Sequence, residues 1–265
     1  MFVIVDAKRG KGIREKWKYW RGFLTEELLL GVPVTIFHCR KKEDTLVKKQ
    51  VTRFTGRKRA AAVVEPGIQI PEDCGLFPHS PKRYEMALCQ DFLERFAGIL
   101  APDRRVIRIH DRMARHPEIV RTMARFYRTI GVFTKFPSCY ETLREEILEE
   151  TGAAVLVSSS ETLLSEYPLQ FRCEKQQQVF LAGIPIEKYY GVAEQPIRQY
   201  LLEKGYAVEP GAVAAALFED AAGRQRIQPV CCAVSIHGQL IAVEELCHAR
   251  REEPKNAGKV ALGLG

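Results

Sequence analysis

The sequence predicts an α/β fold with a mostly parallel sheet that carries helices on both faces. Three short apolar runs, at 106–110, 130–134 and 153–157, alternate with segments of helical spacing. Such alternation is typical of parallel sheets, because parallel neighbours need a long crossover connection. The chain has 265 residues and is 46% hydrophobic, which is enough apolar material for a substantial core.

The segment before these runs is predicted to contain three strands, a linker and a helix. Apolar runs predict strands at 2–5, 31–39 and 60–64. Six proline or glycine residues within 66–81 predict a linker, since both residue types interrupt regular structure. Apolar residues at helical spacing then predict a helix over 81–100.

Two helices are predicted between the three apolar runs. Pro117 suits a first helical position, because its fixed φ fits a helix and its missing N–H would be unpaired there. Ser138 and Glu141 match the capping box S-x-x-E at the start of a helix over 139–151. Gly152 is predicted to end that helix in the left-handed conformation.

The remainder of the chain is predicted to add a strand at 179–183 and helices at 195–204 and 210–219. A hairpin is predicted over 231–243, with His237-Gly238 in its turn, because glycine supplies the positive φ that tight turns need.

These elements predict a division of the chain into three parts. A smaller, basic α/β segment occupies 1–70, and a larger α/β domain occupies 82–250. The polar tail at 251–265 is predicted to be mobile.

Positive charge is concentrated in the first 60 residues. They hold sixteen Lys or Arg against six Asp or Glu, a net charge of +10, whereas the rest holds 24 against 27, a net charge of −3. This asymmetry favours an anionic partner for the N-terminal segment. The alternative is a solvated basic face that aids solubility.

Cysteine usage and hydropathy bear on the compartment. The eight cysteines are dispersed through a mid-sized chain, which favours reduced thiols in a cytosol over a disulfide framework. No apolar run approaches the roughly 20 residues of a membrane span, and the N-terminus has no signal-peptide pattern. A cytoplasmic protein without membrane association is therefore expected.

Residues 104–183 resemble a dinucleotide-binding Rossmann unit, in the order strand, helix, strand, helix, strand, short helix, strand. The resemblance rests on this pattern and covers under half of the chain. In that family the first strand leads into G-x-G-x-x-G, whose glycines let the backbone approach a pyrophosphate. The corresponding turn here, 110–117, contains no glycine. The larger domain is therefore expected to be a Rossmann-like scaffold without NAD(H).

The second landmark of the Rossmann family is an acidic residue at the end of the second strand. Here 134–136 reads Thr-Lys-Phe. The resemblance implies that Lys135 would pair with a 2′-phosphate, as basic residues do in NADP-binding relatives. No cofactor is expected, and NADP is the alternative.

Ligands of open parallel sheets bind beyond the carboxyl ends of the strands. This rule predicts a ligand site that comprises His110, Asp111, Arg112, Arg115, Lys135, Ser158 and Ser159. Its three basic residues are predicted to hold an anion. The alternative is that they are solvated loop charges.

Basic residues interleaved with aromatic ones near the N-terminus suit a phosphate backbone and stacked bases. The nucleic-acid candidates are Lys8, Arg9, Lys11, Arg14, Lys16, Trp17, Lys18, Arg57, Lys58 and Arg59. The alternative is an amphipathic segment whose aromatic rings enter the core while Lys and Arg reach water.

Motifs for other chemistry are missing from the sequence. The sequence has no C-x₂-C pair of the kind that binds zinc and no GxxxxGK[ST] loop of the kind that binds a triphosphate. It also has no G-x-S-x-G motif, which would carry a nucleophilic serine. No metal ligand and no catalytic residue is predicted. The expected function is a cytosolic binding or regulatory protein. The alternatives are an NADP-linked oxidoreductase or other phosphate-ligand enzyme, and a nucleic-acid-binding protein.

Overall fold

The computed structural model describes residues 2–8, 19–56, 59–160, 169–173, 178–220, 223 and 226–246. The chain forms two compact units. Unit 1 comprises Met1–Leu88 and Tyr190–Val230, and unit 2 comprises Cys89–Tyr189 and Cys231–Gly265. The chain therefore forms the first part of unit 1 and then most of unit 2. It completes unit 1 with 190–230 and unit 2 with 231–265.

This division differs from the one predicted at 1–70 and 82–250. The prediction kept each part continuous in sequence, whereas 190–230 belongs with the N-terminal sheet. The predicted tail at 251–265 lies outside the described residues.

Unit 1 is built on a six-stranded mixed sheet. Its strands are β1 (Phe2–Lys8), β2 (Phe23–Leu29), β3 (Val32–Lys42), β4 (Thr45–Leu46), β5 (Ala60–Val63) and β6 (Leu76–Pro78). The order is β2-β3-β1-β5-β6, with β4 paired to β3. β1 runs parallel to β3 and β5, and β2 runs antiparallel to β3. Six of the seven residues of the central β1 are buried, which accounts for its continuous apolar run.

Three strands of this sheet were not predicted, namely β2, the two-residue β4 and β6. β2 lacks the usual alternation, because its leucines at 24 and 28 are exposed and its polar residues at 25 and 27 are half-buried. β6 lies within the Pro/Gly-rich segment that predicted a linker. It is an edge strand that ends at Pro78, a position that proline tolerates.

The described residues form a short helical segment at 243–246 and six longer α-helices. They are α1 (Lys48–Thr55), α2 (Lys82–Ile99), α3 (Pro117–Met123), α4 (Glu141–Thr151), α5 (Glu194–Lys204) and α6 (Pro210–Glu219). None of the helices in the described part of the chain is long and apolar enough to cross a membrane.

Unit 2 is built on a second six-stranded sheet. Its strands are β7 (Val106–His110), β8 (Thr129–Phe133), β9 (Ala154–Ser158), β10 (Leu169–Arg172), β11 (Gln178–Leu181) and β12 (Ile184–Pro185). The order is β12-β11-β10-β7-β8-β9. The four strands β10, β7, β8 and β9 are parallel, and β11 and β12 pair antiparallel. The predicted α/β class with parallel pairing is confirmed.

The order β9-β8-β7-β10 is that of a Rossmann-like sheet at its switch point. After β9 the chain crosses to the other side of β7, so β8 and β10 are the neighbours of β7 on its two sides. In sheets of this kind, ligands bind in the crevice beyond the carboxyl ends of the strands at the switch point, which here lies between β7 and β10.

The predicted capping box at the start of α4 is wrong. Pro137–Tyr140 forms a 3₁₀ turn, and neither this turn nor α4 has a side-chain cap. The end of α4 is as predicted, since Gly152 has φ 71° and its N–H donates to the carbonyl of Leu148.

A third sheet contains β13 (Lys188–Gly191), β14 (Cys231–Ile236) and β15 (Gln239–Ala242). β14 and β15 form the predicted hairpin, with positive φ at both His237 and Gly238.

Gly191 meets a close neighbour within unit 1. A Cβ atom at this position would lie 2.0 Å from the hydroxyl oxygen of Tyr84, whose side chain is buried. Only glycine therefore fits here without movement of the tyrosine.

Candidate functional site

The predicted ligand residues of unit 2 lie at one edge of its sheet. The register pairs His110 with Phe133 and Phe133 with Ser158, so β7, β8 and β9 end side by side. The N–H of Thr134 donates to the carbonyl of Ser158, which extends this alignment beyond the strands. Ser159 follows directly and is exposed. The geometry thus brings the three predicted strand ends together.

Asp111 is the organising residue of this edge. Its side chain is buried, and its carboxylate accepts three hydrogen bonds. Oδ1 accepts from the backbone N–H of Arg115 at 3.0 Å, and Oδ2 accepts from that of His116 at 2.6 Å. The hydroxyl of Tyr140 donates to Oδ2 at 2.6 Å. The two amides immediately precede α3, so the carboxylate holds the turn that leads into this helix, whose own first turn has no side-chain cap.

The turn that precedes α3 contains a strained residue. Ala114 has φ 51°, in the left-handed region that favours glycine, and its N–H donates to the carbonyl of Asp111. The turn therefore keeps a tight conformation without any of the glycines of the Rossmann motif.

The three predicted basic residues are on the surface of this edge. Arg112, Arg115 and Lys135 are all exposed. The N–H of Lys135 donates to the carbonyl of Arg112 at 3.0 Å, which holds the loops after β7 and β8 together. His110, by contrast, is buried within β7. The exposed part of the edge is therefore cationic.

Tyr140 belongs to this site but was not predicted as a site residue. Burial, and then its hydrogen bond to Asp111, raise the pKa of Tyr140 well above the ordinary value for tyrosine. The sequence marked it only as an apolar position of a helix, and no local signal linked it to a residue 29 positions away.

Most of the predicted nucleic-acid residues lie outside the described part of the chain, namely Arg9, Lys11, Arg14, Lys16, Trp17, Lys18, Arg57 and Lys58. Lys8 is described, and its ammonium contacts Asp6 at 3.0 Å and the carbonyl of Gly205 at 3.0 Å. Arg59 is described and exposed.

A second polar cluster lies on the sheet of unit 1, and sequence reasoning missed it. Nδ1 of His38 is 3.0 Å from Oδ2 of Asp6, and Nε2 of His38 is 2.8 Å from Oγ1 of Thr25. The side chains of Asp6 and His38 are only 5% and 9% exposed, whereas Thr25 is half-buried. The three residues come from adjacent strands β1, β3 and β2, so no spacing along the sequence could reveal them.

Glu27 adds a further polar side chain next to this cluster, two residues after Thr25 on β2. Its carboxylate accepts hydrogen bonds from the hydroxyls of Tyr200 and of Tyr206, the latter at 2.8 Å, and contacts Lys204 at 3.2 Å. Burial acts to raise the pKa of Glu27, but the bonds from Tyr200, Tyr206 and Lys204 outweigh it and leave this pKa lowered. These contacts attach α5 and the residues after it to β2.

Neither cluster is a metal site. Among the residues that the structure describes, no group of three or more His, Cys, Asp or Glu side chains is arranged to hold a metal ion.

Comparison with known proteins adds no relative. No protein-family model matches the chain, and no curated protein or solved structure shows significant similarity to it.

Proposed function

We propose that the protein is a binding or regulatory protein, which holds a small anionic ligand at the strand-end edge of unit 2 and does not use a dinucleotide. The position of the Asp111 carboxylate carries this proposal. It accepts the amides of Arg115 and His116, where a Rossmann domain would present free amides to a pyrophosphate. A phosphate in that place would have to displace a buried carboxylate that has three donors.

The charge of the edge supports an anionic ligand. Three exposed cations, Arg112, Arg115 and Lys135, extend from the loops that follow β7 and β8. Their guanidinium and ammonium groups suit a phosphate or a carboxylate, and Arg does so with two parallel hydrogen bonds. Because Asp111 takes the amides, side chains must supply most of the ligand contacts.

The enzyme alternative uses the same residues. An NADP-linked oxidoreductase, or another phosphate-ligand enzyme, would place its phosphate on Lys135 and Arg112. The oxidoreductase requires a strong preference for a ligand with a 2′-phosphate, which the anion-binding proposal does not.

Calorimetry with NAD(H), NADP(H), nucleotides and sugar phosphates tests the proposal. We expect no saturable binding of NAD(H) at micromolar levels, and binding of at least one small phosphorylated compound. The variant in which Arg112, Arg115 and Lys135 are changed to Gln is expected to lose at least tenfold in affinity, since each charge-assisted bond contributes about 1.5–3 kcal/mol.

The matched control changes three other exposed cations of unit 2 to Gln, namely Arg125, Arg128 and Arg144. Its affinity is expected to stay within twofold of the wild type. Equal losses in both triple variants would refute a localised site, and micromolar NAD(H) binding would refute the proposal as a whole. A preference for NADP(H) alone would favour the enzyme alternative.

Nucleic-acid binding through unit 1 is the second candidate function. The observation that favours it is α1, whose Lys48, Lys49 and Arg53 are exposed. This candidate requires affinity for RNA or DNA that falls steeply as salt is raised, because bound phosphates release counterions. Binding that is absent, or insensitive to salt between 50 and about 200 mM, would remove it.

A further inference from the structure

We propose that Asp6, His38 and Thr25 of unit 1 form an acyl-transfer site, with Thr25 as the nucleophile and an uncharged carboxylic ester as the class of substrate. This inference is independent of the anion site of unit 2, because the two share no residue.

The strand register builds the site. Parallel pairing sets Asp6 opposite His38, and antiparallel pairing sets His38 opposite Phe23. Thr25 lies two residues beyond Phe23 on the same face of β2, within diagonal reach of the imidazole. The two hydrogen bonds of 3.0 and 2.8 Å are both within the range of a nucleophile, a base and the acid that orients it.

For a neutral imidazole, the contacts set the direction of both hydrogen bonds. Oδ1 of Asp6 pairs with the ammonium of Lys8, so the Asp6 side chain is a carboxylate and accepts only. Nδ1 of a neutral His38 must therefore carry the proton that it donates to Asp6. Nε2 then has a free lone pair and accepts from the hydroxyl of Thr25. This is the direction that general-base activation of a hydroxyl requires.

Burial decreases from the acid to the nucleophile. Asp6 and His38 are buried and Thr25 is half-buried, so Thr25 is the most exposed of the three residues. β2 also reverses the ordinary pattern, since Leu24 is 50% exposed and Leu28 is 70% exposed while Thr25 and Glu27 are half-buried. Local rules tend to fail in this way at functional sites.

The reaction follows from these roles. Oγ1 of Thr25 attacks the ester carbonyl, and its proton moves to Nε2 of His38. The C–O bond to the alcohol then breaks, and the alcohol leaves with the proton from His38. Water attacks the acyl-threonine, His38 takes a proton from the water, and that proton returns to Thr25 as the carboxylic acid departs. The sum is ester plus water to acid plus alcohol.

The surroundings of His38 select the substrate class. The ring of Phe23 stacks on the imidazole at 4.4 Å, and Tyr206 lies 6.2 Å away. The two nearby carboxylates, Asp6 and Glu27, are each paired with a lysine ammonium, so they leave no net charge to attract a charged acyl group. A small, uncharged acyl group fits these conditions best.

The test uses p-nitrophenyl acetate with the full chain at pH 8, because its good leaving group demands little stabilisation from the protein. We expect a burst of p-nitrophenolate and one acetyl group, located on Thr25 by peptide mass spectrometry. Thr25→Val and His38→Gln are expected to abolish the burst, and Thr25→Ser to retain it. Asp6→Asn is expected to slow it by at least 100-fold, since it disturbs the tautomer of the base.

The control variant is Thr122→Val, which removes a threonine hydroxyl that is bonded only within α3. It is expected to leave the burst unchanged. Acetylation that maps to residues other than Thr25, or no acetylation of the folded wild type, overturns the proposal. If Thr25→Val fails to fold by circular dichroism, the mapped adduct in the wild type and in Thr25→Ser decides the question.

Discussion

Replacement of Asp111 by Asn tests whether its carboxylate holds the turn that leads into α3 and takes the place of a bound phosphate. The carboxylate offers two acceptor oxygens to three donors. The amide of Asn offers one oxygen and one NH₂ group. Whichever way the amide is turned, its NH₂ group faces a backbone N–H, so at least one of the two amides loses its acceptor.

The loss of local stability expected in Asp111→Asn follows from the number and type of hydrogen bonds that change. Loss of one charge-assisted hydrogen bond costs about 1.5–3 kcal/mol. The remaining bonds to Asp111 become neutral and lose roughly half of their strength. We therefore expect the loop to lose about 3 kcal/mol of local stability, which corresponds to roughly 100-fold faster exchange of the affected amides.

Hydrogen exchange measured by NMR provides the assay, because it reports on the amides of Arg115 and His116 individually. Tyr140→Phe is the matched control. It removes the third donor, costs about 1–2 kcal/mol, and leaves both amide bonds in place. Asp103→Asn, at an exposed aspartate of the same unit, is expected to change neither amide. Unchanged exchange at both amides in Asp111→Asn would refute the proposal that the carboxylate holds this turn.

Three further predictions concern thiols, a close packing contact and tyrosine ionisation. Iodoacetamide at pH 8 should modify the exposed Cys139 in the native protein and spare Cys39, because burial raises the pKa of the Cys39 thiol to about 12; equal rates would contradict this. Gly191→Ala should destabilise unit 1 by about 1–3 kcal/mol in urea unfolding, whereas Gly98→Ala, in open space near the end of α2, should stabilise by about 0.5–1 kcal/mol. Absorbance titration should show that Tyr140 stays protonated in the native state beyond pH about 10, where unfolded tyrosines ionise. Folding raises the pKa of Tyr140, so the stability that this tyrosine contributes is complete below the pH at which unfolded tyrosines ionise. That contribution is lost as the pH rises further, so the free energy of unfolding should fall in alkali.

Much of the fold could be predicted, because strands and helices follow local patterns. The apolar runs placed β7, β8 and β9 of unit 2 within one residue of Val106–His110, Thr129–Phe133 and Ala154–Ser158. Helical spacing located α2, α5 and α6 equally well. The turn residues His237 and Gly238 identified the hairpin. In each case the signal lies within a few adjacent residues.

The missed strands had no such signal. β2 carries leucines on its exposed face and polar residues on its half-buried face, which is the reverse of the expected pattern. The segment around β6 is rich in proline and glycine, and this predicted a linker. Pairing with β5 determines that strand, and pairing is a property of the sheet.

The sequence by itself determined the α/β class, the strand ends of unit 2 and the absence of a glycine motif from the first turn. Only the tertiary structure decided what those residues do. It buried the Asp111 carboxylate against the amides of the turn before α3 and left Arg112, Arg115 and Lys135 exposed. It also brought Asp6, Thr25 and His38 together from three strands. The physical reason is that hydrogen bonds between distant side chains depend on strand order and register, which long-range packing sets.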